Sequence, residues 1–292
     1  MRKGLLSLVA AAATALAVAG AAPAAYAVTH HPTGEFAPFA DCPLSNAEAE
    51  SCVVATTESG EFVVGKETVP IVNTITLQGG IHETAEETFR FIGAEDGNTL
   101  SKTPQKVPGG LSGLVKCNEI SNFIERVACE IVFENGVTGV NATTELAAPA
   151  SSIGINVLNL AEQTGTALSL PVKVHLENPF LGSSCYIGSN AAPIVIQFTT
   201  GTTSPPAPNK PITGSPGTPE ISAGGVLTLK NNELVNNSFG AAGAEGCGGL
   251  FSFLLDPIVD SKLGLPSAAG HNTAILKGTL KTAAAASVKA SE

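Results

Sequence analysis

The longest strict alternation in the chain runs from Leu168 to Glu177. Leu168, Leu170, Val172, Val174 and Leu176 are apolar, with Ser169, Pro171, Lys173, His175 and Glu177 between them. A period of two puts one face on a core and the other in water, so this stretch predicts a half-buried strand. It stops at the turn pair Asn178-Pro179, and the chain then reaches Cys185.

Similar patterning predicts further strands. Cys52 to Thr57 and Glu61 to Gly65 read as two pieces of a hairpin turned at Glu58-Ser59-Gly60. Val69 to Gln78 alternates and is ended by Gly79-Gly80; Asn73 interrupts its apolar face. Glu87 to Ile92, Val137 to Leu146, Ile153 to Leu160 and Ile194 to Thr199 carry β character as well. Val226 to Lys230 and Glu233 to Phe239 flank Asn231-Asn232, a short hairpin signal, and Asn272 to Leu280 is the last strand.

Helical spacing occurs once at length. Ile120, Phe123, Ile124, Val127 and Ile131 recur at helical intervals, and Asn135-Gly136 is a suitable stop. A second, short helix is predicted from an Asp256 cap and Pro257 to Gly264. The expected fold is therefore mainly β, an antiparallel sandwich or barrel with one amphipathic helix and a short C-terminal helix, tied by disulfides.

The ends of the chain set its compartment. Arg2 and Lys3 precede an apolar run from Leu5 to Ala19, and Ala25-Tyr26-Ala27 offers small residues for cleavage. Residues 1–27 are expected to be a signal peptide, 28–40 a flexible arm, 41–282 a single β-rich domain and 283–292 a fraying tail. Six prolines between Thr200 and Glu220 predict a proline-rich surface loop over 200–220. Past Ala27 no apolar run approaches the ~18 residues of a membrane-spanning helix, so the cleaved chain is expected not to span a membrane.

Charge narrows the partners. Of 15 basic residues two lie in the leader, leaving 13 against 25 acidic residues and a formal charge of −12. Such a surface repels phosphate backbones, so nucleic acid is excluded as a partner. Six cysteines in an exported chain predict three disulfides, although six allow fifteen pairings. We pair Cys42 with Cys52, Cys117 with Cys129, and Cys185 with Cys247. The second pair needs Cys117 in a loop that doubles back, because twelve residues of continuous helix span ~18 Å. Zinc is disfavoured: C-x-x-C is absent and the five histidines are scattered.

Several phrases resemble a group of secreted actinobacterial proteins with no assigned biochemical function. They are Phe39 to Cys42 (FADC), Thr68 to Gly80 (TVPIVNTITLQGG), Thr143 to Ala147 (TTELA), Asn178 to Ser189 (NPFLGSSCYIGS), Thr199 to Pro211 (TTGTTSPPAPNKP) and Cys247 to Gly264. The resemblance covers most of the cleaved chain. It implies export and a shared fold, and it brings no catalytic residues.

Candidate chemistry is sparse. His82-Glu83-Thr84-Ala85-Glu86 matches half of a zinc-protease helix, but Glu86 stands where the second histidine belongs, so a solvated polar turn is expected. Glu95-Asp96-Gly97-Asn98 reads as a turn rather than a calcium loop. G-x-S-x-G is absent, and Ser183 and Ser184 beside Cys185 have no basic partner nearby in sequence. Cleavage after Ala27 would expose Val28-Thr29-His30, whose amine, two backbone nitrogens and imidazole can offer a square-planar copper or nickel site. No other cofactor is implied.

These features point to an exported, non-enzymatic structural or interaction protein, secreted or attached at the cell surface. Two alternatives compete with it. One is a secreted hydrolase assembled only in three dimensions, which a cleft joining serine, histidine and acid would favour. The other is a lipid- or small-ligand-binding β-barrel, which a deep apolar cavity would favour.

Overall fold

The computed structural model describes residues 30–85, 88–111, 121–129 and 139–292. The strands in chain order are β1 (Ser51–Val64), β2 (Glu67–Pro70), β3 (Ile75–Ala85), β4 (Thr88–Gly93), β5 (Gln105–Lys106), β6 (Asn141–Leu146) and β7 (Gly154–Ile155). They continue with β8 (Leu168–Glu177), β9 (Tyr186–Ile187), β10 (Ile194–Phe198), β11 (Thr218–Ile221), β12 (Leu227–Asn236), β13 (Ala244–Glu245) and β14 (Thr273–Ala284). The α-helices are α1 (Phe123–Cys129), α2 (Val157–Glu162), α3 (Ser252–Leu263) and α4 (Ala285–Ala290).

The strands form two seven-stranded sheets. The first runs β11-β12-β14-β1-β3-β4, with β2 also on β1. The second runs β13-β9-β8-β6-β5, with β10 and β7 also on β8. Each retains two edges, so the architecture is a sandwich and not a closed barrel. Val53, Ile81, Leu234 and Leu276 of the first sheet share one buried cluster with Leu170, Val172, Leu176 and Ile196 of the second. The central strand spans the predicted residues and departs from the alternation at two of them: β8 (Leu168–Glu177) buries Leu168, Leu170, Val172 and Leu176, but it also buries Pro171 of the other face and leaves Val174 half-buried like Lys173 and His175.

Two predicted hairpins are instead single strands. β1 continues through Glu58-Ser59-Gly60, and β12 through Asn231-Asn232. Each holds an irregularity where its pairing with β14 shifts: between Thr57 and Ser59 in β1, and between Leu229 and Asn232 in β12. Both shifts meet β14 beside Gly278, where a Cβ would lie 1.7 Å from the Thr56 carbonyl oxygen. Turn-forming residues also suit bulges, and pairing with β14, more than 200 residues along from the β1 site and more than 40 from the β12 site, decided between the two. Gly79-Gly80 likewise does not end β3. A Cβ on Gly79 would strike the Phe91 ring at 2.8 Å, and one on Gly80 would meet Pro43 at 2.9 Å, so these glycines let neighbours lie flat on the strand.

Other expectations need correction. Ile153 to Leu160 is only briefly a strand: Asn156 accepts hydrogen bonds from the backbone N–H groups of Leu158 and Asn159, and this cap starts α2. Asp256 caps nothing, because α3 begins at Ser252 and encloses Pro257; Gly264 does end it in the left-handed conformation. The arm and tail are packed. A 3-10 helix over Gly34–Phe39 buries Phe39 completely, and α4 buries Val288 completely. They meet on the outer face of the first sheet in a cluster with Cys42, Leu44, Cys52, Val226, Ala283 and Ala285. Alanine-rich composition hid this packing from a reading by pattern.

Cys42–Cys52 and Cys185–Cys247 are bonded, with Cα separations of 5.4 and 4.0 Å. Cys117 lies outside the described residues, and so does its pairing with Cys129. α1 covers the described part of the predicted amphipathic helix; its Phe123 and Ile124 are 68% and 77% exposed.

Candidate functional site

The two sheets do not cover each other along their whole length. Beyond the start of β8 the inner face of the first sheet is faced by β7, the two turns of α2 and the proline-rich loop. A six-residue helix is ~9 Å long, whereas a ten-residue strand such as β12 runs ~33 Å. Fit is therefore incomplete, and a pocket of ≈ 330 Å³ remains. Its sheet wall is Val53, Leu227, Leu229 and Leu280, with Val157, Leu160 and Ala161 of α2 opposite and Pro216 and Pro219 at the side. Val157, Leu160 and Ala161 fall at i, i+3 and i+4, one helical face. The last turn is held in place by the Thr200 hydroxyl, which donates to the Leu160 carbonyl at 2.7 Å.

The chemistry of this pocket is simple. Among its lining residues only Thr282 carries a polar side chain. Ligand pockets occupy ~300–1,000 Å³, and an apolar cavity of ~150 Å³ already holds benzene. The volume is enough for a small apolar molecule. Apart from the Thr282 hydroxyl its lining residues carry no group that could act as acid, base or nucleophile.

Two narrower cavities of ≈ 60 Å³ each continue between the sheets. The middle one lies against Ala55, Ile75, Leu170, Ile196 and Leu280. The far one lies against Val64, Val69, Val107, Leu176 and Leu263, with Glu67 and Gln105 as its polar rim. Burial pushes the Glu67 carboxyl up from its ordinary value, opposed by the Lys262 ammonium.

The opposite face of β8 gathers the polar chemistry. His175 stacks on Tyr186 with ring centroids 4.6 Å apart, and Lys173 sits 4.4 Å above the same ring. Lys173 also approaches Glu145 at 3.9 Å. Burial pushes the Tyr186 phenol up, and the Glu145 and Glu177 carboxylates add to that. An open cleft beside them does bring His175, Glu177 and Ser183 together. Their geometry is not that of a nucleophile and its base: His175 Nδ1 stands 3.6 Å from Glu177, and its Nε2 is buried without a hydrogen-bond partner. The hydroxyl of Ser183 therefore receives no help from the imidazole.

Of the predicted metal residues, Val28 and Thr29 lie outside the described residues. His30 is placed, and its Nδ1 contacts Glu292 Oε1 at 2.5 Å, so that nitrogen is engaged with a carboxylate. His82 lies on the extended β3, where residues four apart stand ~13 Å from each other and cannot share a metal as they do on a helix. Among the described residues no group of three or more His, Cys, Asp and Glu side chains is placed to hold a metal ion. None of their helices is long and apolar enough to cross a membrane.

No family model, curated protein or solved structure matches this chain.

One further surface escaped the sequence reading. Leu250, Phe251, Phe253 and Leu254, at the start of α3 and just before it, are exposed, Leu250 at 93%. Their support is rigid: Cys185–Cys247 closes the base, Asp256 accepts from the Gly246 and Cys247 N–H groups, and Asp260 accepts from Ala244 N–H at 2.6 Å. The cue was Asp256 before Pro257, which reads as a helix cap and serves instead to hold a loop. The pocket had a weaker cue, Asn156 ahead of Val157, Leu160 and Ala161 at helical spacing.

Proposed function

We propose that the protein is an exported, non-enzymatic binding module that holds a small uncharged apolar ligand between β12, β14 and α2. The pocket of ≈ 330 Å³ with a single polar lining side chain carries this reading. Export rests on the N-terminal leader and on the two disulfides, which belong to an oxidising compartment. The likeness to secreted actinobacterial proteins belongs to the same proposal. The test is titration with N-phenyl-1-naphthylamine, a neutral apolar fluorophore. Saturable 1:1 binding is expected, and Ala161→Trp, at an exposed helical position on the rim, should abolish it without moving the melting temperature. Absence of saturable binding, or binding unaffected by Ala161→Trp, overturns the reading.

An interaction role has its own support in the exposed platform at Leu250 to Leu254, since a rigid apolar patch marks a contact surface. Here Phe253→Asp should abolish concentration-dependent self-association in sedimentation. A wild-type chain that stays monomeric would remove self-contact from this role.

A further inference from the structure

The pocket is one end of a line. Successive inward residues of β1 line the three cavities in chain order: Val53 the large pocket, Ala55 and Thr57 the middle cavity, Phe62 the middle and far cavities, and Val64 the far one. Neighbouring cavities share walls. Leu160 and Leu280 border both the large and the middle one, while Phe62, Thr144, Val172 and Ile196 border both the middle and the far one. The partitions include leucine and phenylalanine side chains, which rotate about two torsions.

Resting on the reading above, we infer that the ligand is a single unbranched hydrocarbon chain, lying along β1 with its tail toward Phe62 and its head at the α2 rim. The dimensions select this shape. From Val53 to Phe62 is nine strand steps, ~30 Å at most. The inner cavities, at ≈ 60 Å³ each, admit a slender chain and reject rings. The walls along this path offer almost no charge, and the carboxyl of Glu67 stands at the far rim, beyond Phe62. A tail that stops before it desolvates no charged group. The head stays outside, where Val157, Ala161 and Pro219 are exposed.

Displacement of N-phenyl-1-naphthylamine by straight-chain 1-alkanols of six to fourteen carbons tests the chain. Affinity should rise about fourfold per methylene, the equivalent of ~0.8 kcal/mol, and level off at a cutoff length. Ala55→Leu fills the middle cavity and should shorten that cutoff, and Phe62→Ala should lengthen it. Melting curves identify a variant that fails to fold, and the other then decides. Cyclododecanol should displace at least tenfold less well than 1-dodecanol. Equal displacement by the ring, or a cutoff indifferent to both substitutions, overturns the inference while leaving a compact apolar ligand in place. If the fluorophore itself does not bind, both readings fall.

Discussion

The two disulfides close regions that solve different problems. Cys42–Cys52 spans 10 residues and lies in a small cluster outside the sandwich, where the two ends of the described chain meet. Its neighbours are short segments with few large side chains, so a covalent tie supplements a modest buried area. Cys185–Cys247 spans 62 residues and lies within the main core, both sulfurs fully buried. Burial there is already ample, and the bond fixes one loop against the base of α3. The short crosslink reinforces a small core, and the long one restricts more of the unfolded chain while fixing a loop in place.

The sharpest way to break this contrast is to remove each bond. Replacing Cys185 and Cys247 together by alanine should cost ~4 kcal/mol by loop entropy, and replacing Cys42 and Cys52 together ~3 kcal/mol. Chemical denaturation of the two double variants measures both values. The contrast predicts a further difference: loss of Cys42–Cys52 should raise amide exchange in Gly34–Phe39 and α4, while loss of Cys185–Cys247 should raise it in residues 244–254. Exchange spread evenly over the sandwich in both variants would show that the bonds do the same work.

A smaller effect isolates the cluster itself. Val288→Ala, at a fully buried position in α4, should cost about 2 kcal/mol and leave the melting of a pocket-bound fluorophore complex shifted only in parallel. A cost near zero would mean that the outer cluster contributes little without its disulfide.

The smallest concerns pH at the other region. Burial raises the Asp260 carboxyl above its ordinary value, the Ala244 N–H opposes this, and Asp256 adds to it. A carboxyl whose folded pKa lies above the unfolded one binds protons more tightly in the folded chain. Its contribution to stability is thus greatest below the unfolded value of 3.8 and declines as pH rises through the folded pKa. Asp260→Asn keeps an acceptor for Ala244 and should flatten the decline in stability as pH rises above 3.8. A steeper slope in the variant would reverse the assignment.

How far the sequence carried these conclusions depends on the range of the interactions. β8 was legible because alternation is local and its faces are uniform. Cys42–Cys52 and Cys185–Cys247 match the pairing proposed from the sequence, but six cysteines allow fifteen arrangements and no local pattern selects one. The hairpins were misread because Glu58-Ser59-Gly60 and Asn231-Asn232 favour turn and bulge alike, and only β14, far along the chain, decides. The cluster that holds both Phe39 and Val288 joins residues 249 apart in short segments, which leave no period to find. The pocket was hidden for a different reason. It is a mismatch between the length of α2 and the strands it faces, and an absence of atoms has no residue to mark it.

Gly278 carries a mechanical consequence. The irregularities in β1 and β12 flank it on both sides, so three adjacent strands give way along one line. On one side of that line stand Leu280 and Thr282 of the pocket, and on the other Ala274 and Leu276 of the main core. A bulge bends its strand and deepens the local twist, so the sheet turns along this line, between its core part and the part that walls the pocket. Gly278 is the pivot of that turn: its bare backbone is what lets β1 close on β14 there, since a Cβ would sit 1.7 Å from the Thr56 carbonyl oxygen.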